Sequence, residues 1–277
     1  MSKRTIQVAH SPDSDDAFMF YALAEGKIPT GKYEFVHHLD DIETLNACAE
    51  EGLYEVTAVS IHAYAGLADR YALMNCGASM GEGYGPILVA SEPLFIEDLK
   101  GLKVAVPGLR TSAYLALKLL EPGFEPVVVP FDRITAAVDR GDVPAGLLIH
   151  EGQLFYPEQG LHKVIDLGEW WNRETGLPLP LGGNAIRRDL PPKEIREISI
   201  LVEESIRYAL EHRQDALTHA LEYGRGLDWA QGERFVSMYV NERTLDYGDD
   251  GRRAVQLFLD RGYEAGLLPH RVDVEFV

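Results

Sequence analysis

Gly146-Leu147-Leu148-Ile149-His150-Glu151-Gly152-Gln153 is the stretch on which the fold turns: an apolar run closed by a histidine, an acid and a glycine. Such a run suits a strand buried on both faces, as in parallel sheets covered by helices. His150 then falls at the strand end, where open α/β sheets keep their ligand crevice. Two readings of it stand side by side. A histidine closing a strand serves either as a hydrogen-bonded structural residue or as a general base, because its ordinary pKa lies close to neutrality.

Working outward, strand-like and helical patterns alternate. Residues 5–9 read as a strand, 15–25 as a helix and 33–38 as a strand, and Ile42, Leu45, Cys48 and Ala49 follow at helical spacing. Val56 to Val59 is a short buried strand leading into a helical stretch from Ser60 to Leu67. The glycine-rich run from Gly77 to Pro86 lacks the lysine and hydroxyl residue that end a nucleotide P-loop, so it reads as a flexible loop first and a phosphate cradle second. After Ile87-Leu88-Val89-Ala90 the pattern restarts. Val104-Ala105-Val106-Pro107-Gly108 is a strand and turn, and Thr111 and Ser112 open a helix reaching Leu120. A helix start of this kind offers free N–H groups to an anion, while its hydroxyls serve equally as caps. A strand at 126–130, a helix at 133–140 and the His150 strand follow.

The segment from Asp166 to Gly182 is rich in aromatics, proline and glycine, and suits either the wall of an apolar pocket or a plug between lobes. From Pro192 the chain turns into long amphipathic helices. The restart and the helical tail divide the chain into a larger α/β lobe of residues 1–90 joined with 187–277, and a smaller one of 91–186.

Composition narrows the functional classes. A chain of 277 residues, 46% hydrophobic and 25% charged, is that of a folded globular protein. With 44 acidic and 26 basic residues its formal charge is −18, which opposes binding to a phosphate backbone, so no nucleic-acid partner is expected. Cys48 and Cys76 stand apart from each other and from any ligand cluster, which argues against a structural zinc site and reads as two reduced thiols. The start, Met1 to His10, enters a strand pattern at once without a secretory apolar region, and no apolar run has the length to cross a bilayer. Those features place the protein in the cytoplasm, off the membrane.

The ordered set Ser11-Pro12-Asp13-Ser14-Asp15-Asp16-Ala17-Phe18, Val56-Thr57-Ala58-Val59-Ser60, Val104 to Gly108 with Thr111-Ser112-Ala113-Tyr114, Gly146 to Glu151, and Asp166 to Gly182 resembles the 1,4-dihydroxy-6-naphthoate synthases of the futalosine route to menaquinone. The likeness spans nearly the whole chain. Ile149-His150-Glu151 and the tryptophan pair before Thr175-Gly176-Leu177-Pro178-Leu179-Pro180 are its specific parts. The first motif departs from the family's usual Ser-Pro-Cys-Pro-Asn-Asp-Thr-Phe at Asp13, Ser14, Asp15 and Ala17, and Ala58 stands where lysine is common.

The resemblance implies a two-lobed, periplasmic-binding-protein-like (type II) α/β fold with a ligand cleft between the lobes. It implies a lyase that cleaves cyclic dehypoxanthinyl futalosine to 1,4-dihydroxy-6-naphthoate and a three-carbon fragment, with no metal and no organic cofactor. His150 aligns with the family's proposed base. Thr57, Ala58, Val59 and Ser60, with Thr111 and Ser112, align with its contacts to a small carboxylated cyclic substrate. Glu151 is a candidate to orient His150. The rival readings are chorismate dehydratase of the same pathway, a transport receptor of the solute-binding class, and a cytoplasmic metabolite sensor. Oligomeric state is not encoded in any of these patterns.

Overall fold

The structure is a computed structural model and describes residues 3–223 and 226–277. Its first half opens as β1 (Arg4–His10), α1 (Ser14–Ala24), β2 (Tyr33–Leu39), α2 (Ile42–Glu51), β3 (Val56–Ser60) and α3 (Ile61–Leu67). β1 pairs in parallel with both β2 and β3. α2 starts sharply because Asp41 accepts hydrogen bonds from the N–H groups of Glu43 and Thr44, and it ends in a left-handed Gly52. Three short strands follow: β4 (Tyr71–Leu73), β5 (Ser79–Gly81) and β6 (Ile87–Ala90).

The restart read in the sequence is β7 (Lys103–Val106), α4 (Ser112–Leu120), β8 (Glu125–Val128), α5 (Ile134–Asp139), β9 (Ala145–Leu148), the single turn α6 (Gly152–Phe155), β10 (His162–Asp166) and α7 (Leu167–Thr175). β11 (Leu179–Arg187) then leads into α8 (Pro192–Glu211), α9 (Arg213–Leu221), α10 (Trp229–Tyr239), α11 (Glu242–Leu245) and α12 (Gly248–Glu264). The strands form two sheets, one ordered β2-β1-β3-β11-β4 with β5 beside β11, the other β10-β6-β9-β7-β8. Each sheet is the floor of one lobe.

Two strands lie in the sheet opposite to the one their position suggested. β6, within residues 1–90, pairs antiparallel with β9 and β10 in the second sheet. β11, which starts inside residues 91–186, pairs antiparallel with β3, β4 and β5 in the first. The reason is burial: all four residues of β6 are buried and need partners on both edges, which the second sheet supplies. The chain crosses where Gly85 and Gly168 touch. A Cβ on Gly168 would lie 1.8 Å from the Tyr84 carbonyl oxygen, so only glycine allows this approach.

The segment from Asp166 to Gly182 reaches the cleft only at its end, through Leu181 and Gly182, and its tryptophans do not line it. The segment is α7 and the start of β11, with Trp171 fully buried, its indole N–H donating to the Pro178 carbonyl at 3.0 Å and its ring edge-on to Phe258. The first lobe's other face is covered by α1, α8 and α9, where Ile198, Val202, Ile206 and Ala209 of α8 form one buried stripe. Among the described residues no helix is long and apolar enough to cross a membrane. Cys48 and Cys76 are both free thiols, and burial pushes that of Cys76 up to about 12.

Candidate functional site

The C-terminal ends of β1, β3, β7 and β9 converge on one cleft, which holds a cavity of about 120 Å³ between the two sheets. β1, β7 and β9 each contribute a short loop there and β3 its last residues, the arrangement that places ligands in open α/β folds. Ala58, Val59 and Ser60 arrive from β3, Thr111 and Ser112 from the β7–α4 turn, and His150 from the end of β9. Thr57 does not reach the cleft. It is fully buried, with its hydroxyl donating to the Ala58 carbonyl.

Hydrogen-bond accounting separates three of the cleft hydroxyls, those of Thr111, Ser112 and Ser60. Thr111 donates to the Gly108 carbonyl at 2.9 Å and caps α4 by accepting from the Tyr114 N–H. Ser112 donates to the Leu181 carbonyl at 2.5 Å and accepts from the His62 N–H. A hydroxyl has one proton to give. Both of these protons are therefore engaged within the protein, and the α4 start can meet an anion only through the N–H groups of Ser112 and Ala113. Ser60 is different. The buried Asn46 amide donates to its oxygen and accepts its backbone N–H, which leaves the Ser60 hydroxyl proton to the cleft.

His150 meets a carboxylate across the cleft, and it is Asp13. Asp13 Oδ2 lies 2.9 Å from His150 Nδ1, while His150 Nε2 is buried without a hydrogen-bond partner among the described residues. Glu151, the expected orienting acid, is buried beside the pair, and one ligand atom from each of the three residues falls within 4.8 Å of the others. That spacing would suit a cation. With Nδ1 turned to Asp13, the group is a carboxylate–imidazole pair rather than a set of open ligands.

Several cleft residues carry no signal in the sequence. Asn184 of β11 is 1% exposed, lines the cleft and has an amide nitrogen with no partner among the described residues. Gly77 makes room for it: a Cβ there would sit 2.1 Å from Asn184 Nδ2, and the backbone at φ +83° favours glycine in any case. Tyr239 of α10 also lines the cleft and donates to Gln153 Oε1 at 2.9 Å, joining the two lobes. Asp15 and Asp16 complete the wall. Burial pushes Asp16 up to about 7 against the Ser11 N–H that favours its charge, and burial followed by the neighbouring Asp16 and Asp13 carboxylates pushes Asp15 well above the usual carboxylate range. The acidic wall therefore carries less charge than its residues suggest.

Comparison with known proteins agrees with this fold. The solved structure of protein AF1704 from Archaeoglobus fulgidus is 48% identical, with a TM-score of 0.91 over 95% of this chain and 98% of that one. The alkanesulfonate-binding protein SsuA from Xanthomonas axonopodis pv. citri shares the fold alone, at 14% identity and a TM-score of 0.72 over 98% of this chain and 96% of its own. A curated relative from Thermus thermophilus, 43% identical over 95% of both chains, is named 1,4-dihydroxy-6-naphthoate synthase, as is one from Streptomyces coelicolor, 38% identical over 97% of this chain and 96% of its own. A family model described as menaquinone biosynthesis matches residues 6–264. The chain, a two-lobed α/β protein with its cleft at the strand ends, belongs to this menaquinone biosynthesis family.

Proposed function

We propose that this protein is a 1,4-dihydroxy-6-naphthoate synthase: a cytoplasmic lyase, working without metal or organic cofactor, that converts cyclic dehypoxanthinyl futalosine to 1,4-dihydroxy-6-naphthoate and a three-carbon fragment. The observation that carries this reading is the shared name of two relatives aligned over nearly the whole chain. The cleft supports it with a histidine whose Nε2 is unpartnered.

The substrate is a small carboxylated cyclic molecule held between the lobes. Its oxygen atoms are met by the Ser60 hydroxyl, the Asn184 amide and the N–H groups of Ser112 and Ala113. These local donors answer the repulsion expected from a chain of charge −18. Neutral His150 removes a proton from the spiro-cyclic substrate through Nε2, and a retro-aldol-like cleavage of a carbon–carbon bond follows. The gain of an aromatic ring drives it forward. The chain's own contribution is orientation, fixed donors and exclusion of water from the closed cleft.

Replacement of His150 by alanine tests the assignment. Turnover is expected to fall roughly a hundredfold to ten-thousandfold, the usual contribution of a general base, with substrate affinity retained by calorimetry. Near wild-type turnover in the folded variant would make His150 a structural residue.

A further inference from the structure

Asp13 occupies the N-cap of α1, where a short acidic side chain ordinarily accepts helix N–H groups, yet it makes no side-chain cap bond. Its Oδ2 accepts instead from the Ser11 hydroxyl and faces His150 Nδ1 at 2.9 Å. The Asp13 backbone N–H donates to Ser11 Oγ at 3.0 Å, so residues 11–13 form a closed turn that fixes the carboxylate. The imidazole is restrained on its side as well, by Phe131 edge-on at 4.0 Å between ring centroids. Asp13 follows β1 in the first sheet and His150 follows β9 in the second, so the contact spans the cleft.

We propose that Asp13 is the positioning residue for His150, holding its neutral ring with the proton on Nδ1 and the Nε2 lone pair turned to the substrate. This rests on the reading of His150 as the base. A carboxylate at Nδ1 selects that tautomer and stabilises the imidazolium formed when Nε2 takes the substrate's proton. Protons balance simply: one leaves the substrate for Nε2, the Nδ1 proton stays on the ring, and Asp13 remains a carboxylate throughout. Because the partners stand on opposite lobes, closure of the cleft assembles the base, which ties proton abstraction to a bound and enclosed substrate.

The test is nitrogen-15 NMR of histidine-labelled full-length protein, with the His150 signals assigned by their loss in His150→Ala, run beside steady-state kinetics. In the wild-type protein the neutral ring is expected to show a protonated Nδ1 and a bare Nε2. In Asp13→Ala the Nε2-protonated form should rise, and kcat should fall roughly tenfold to a thousandfold while KM changes far less. Asp13→Asn, nearly the same shape, serves if the alanine variant does not fold. An unchanged tautomer in either folded variant overturns the proposal. A changed tautomer with unchanged kcat leaves Asp13's hold on the ring intact and refutes His150 as the base, so the two readings fail separately.

Discussion

Asn184 is a single amide whose environment asks for a ligand. An unpaired buried donor is costly, on the order of 1–3 kcal/mol, and a substrate oxygen would remove that cost. Asn184→Ala, measured by calorimetric titration in the His150→Ala background, is expected to weaken substrate binding roughly tenfold to a hundredfold, the worth of one hydrogen bond to a charged group. Unchanged affinity would remove Asn184 from the site. None of this was legible in Gly182-Gly183-Asn184-Ala185, because a polar residue in a strand reads as facing water and only the fold turns it inward. Asn46 escaped for the same reason, being a polar residue on an apolar helix face whose partner, Ser60, lies a whole strand away. His150 was readable because the apolar run of β9 leads straight to it. Asp13 stood out only as a departure in the first motif, without its partner.

At the scale of elements, the strands with continuous apolar runs were visible and the short ones were not. β4 and β5 have three residues each, and β10, His162-Lys163-Val164-Ile165-Asp166, mixes charge with apolar residues as an edge strand does. The β1–β2 pair carries a consequence for pH. His10 at the end of β1 is 4% exposed, stacks on Phe20 and contacts His37 of β2 at 3.1 Å. Burial, followed by the neighbouring His37, lowers its pKa from 6.5 to about 3. Between those values acid protonates the unfolded chain but not the folded one. The contribution of His10 is therefore complete above 6.5 and is lost as pH falls toward about 3. The loss amounts to about 1.4 kcal/mol per pH unit. Urea unfolding of His10→Phe should show a stability slope between about pH 4 and 6 that is flatter than wild type by that amount. Asp15 and Asp16, whose raised pKa values act in the opposite sense, are common to both proteins and drop out of the comparison. Equal slopes would contradict the burial argument.

At the scale of the whole molecule, two sheets joined by crossings near Gly85 and Gly168 and again before β11 frame a cleft bridged by side chains of both lobes. Across it run Tyr239 to Gln153, His62 to Ser112, and Arg110 to both Glu43 and Glu50. The arginine pairs are weak latches: Arg110 is 42% exposed, and such pairs are worth on the order of 0.2–1 kcal/mol each. The two-lobed plan was legible because the β-α-β pattern restarts, whereas the crossing residues were not, since β6 and β11 exchange lobes for reasons of pairing rather than order. The central claim is that this cleft cuts a carbon–carbon bond. Mass spectrometry of the products after incubation of the wild-type protein with cyclic dehypoxanthinyl futalosine, and separately with chorismate, tests it most directly. The account expects 1,4-dihydroxy-6-naphthoate and a three-carbon fragment from the first and intact chorismate from the second; unchanged futalosine derivative, or dehydrated chorismate, would contradict it.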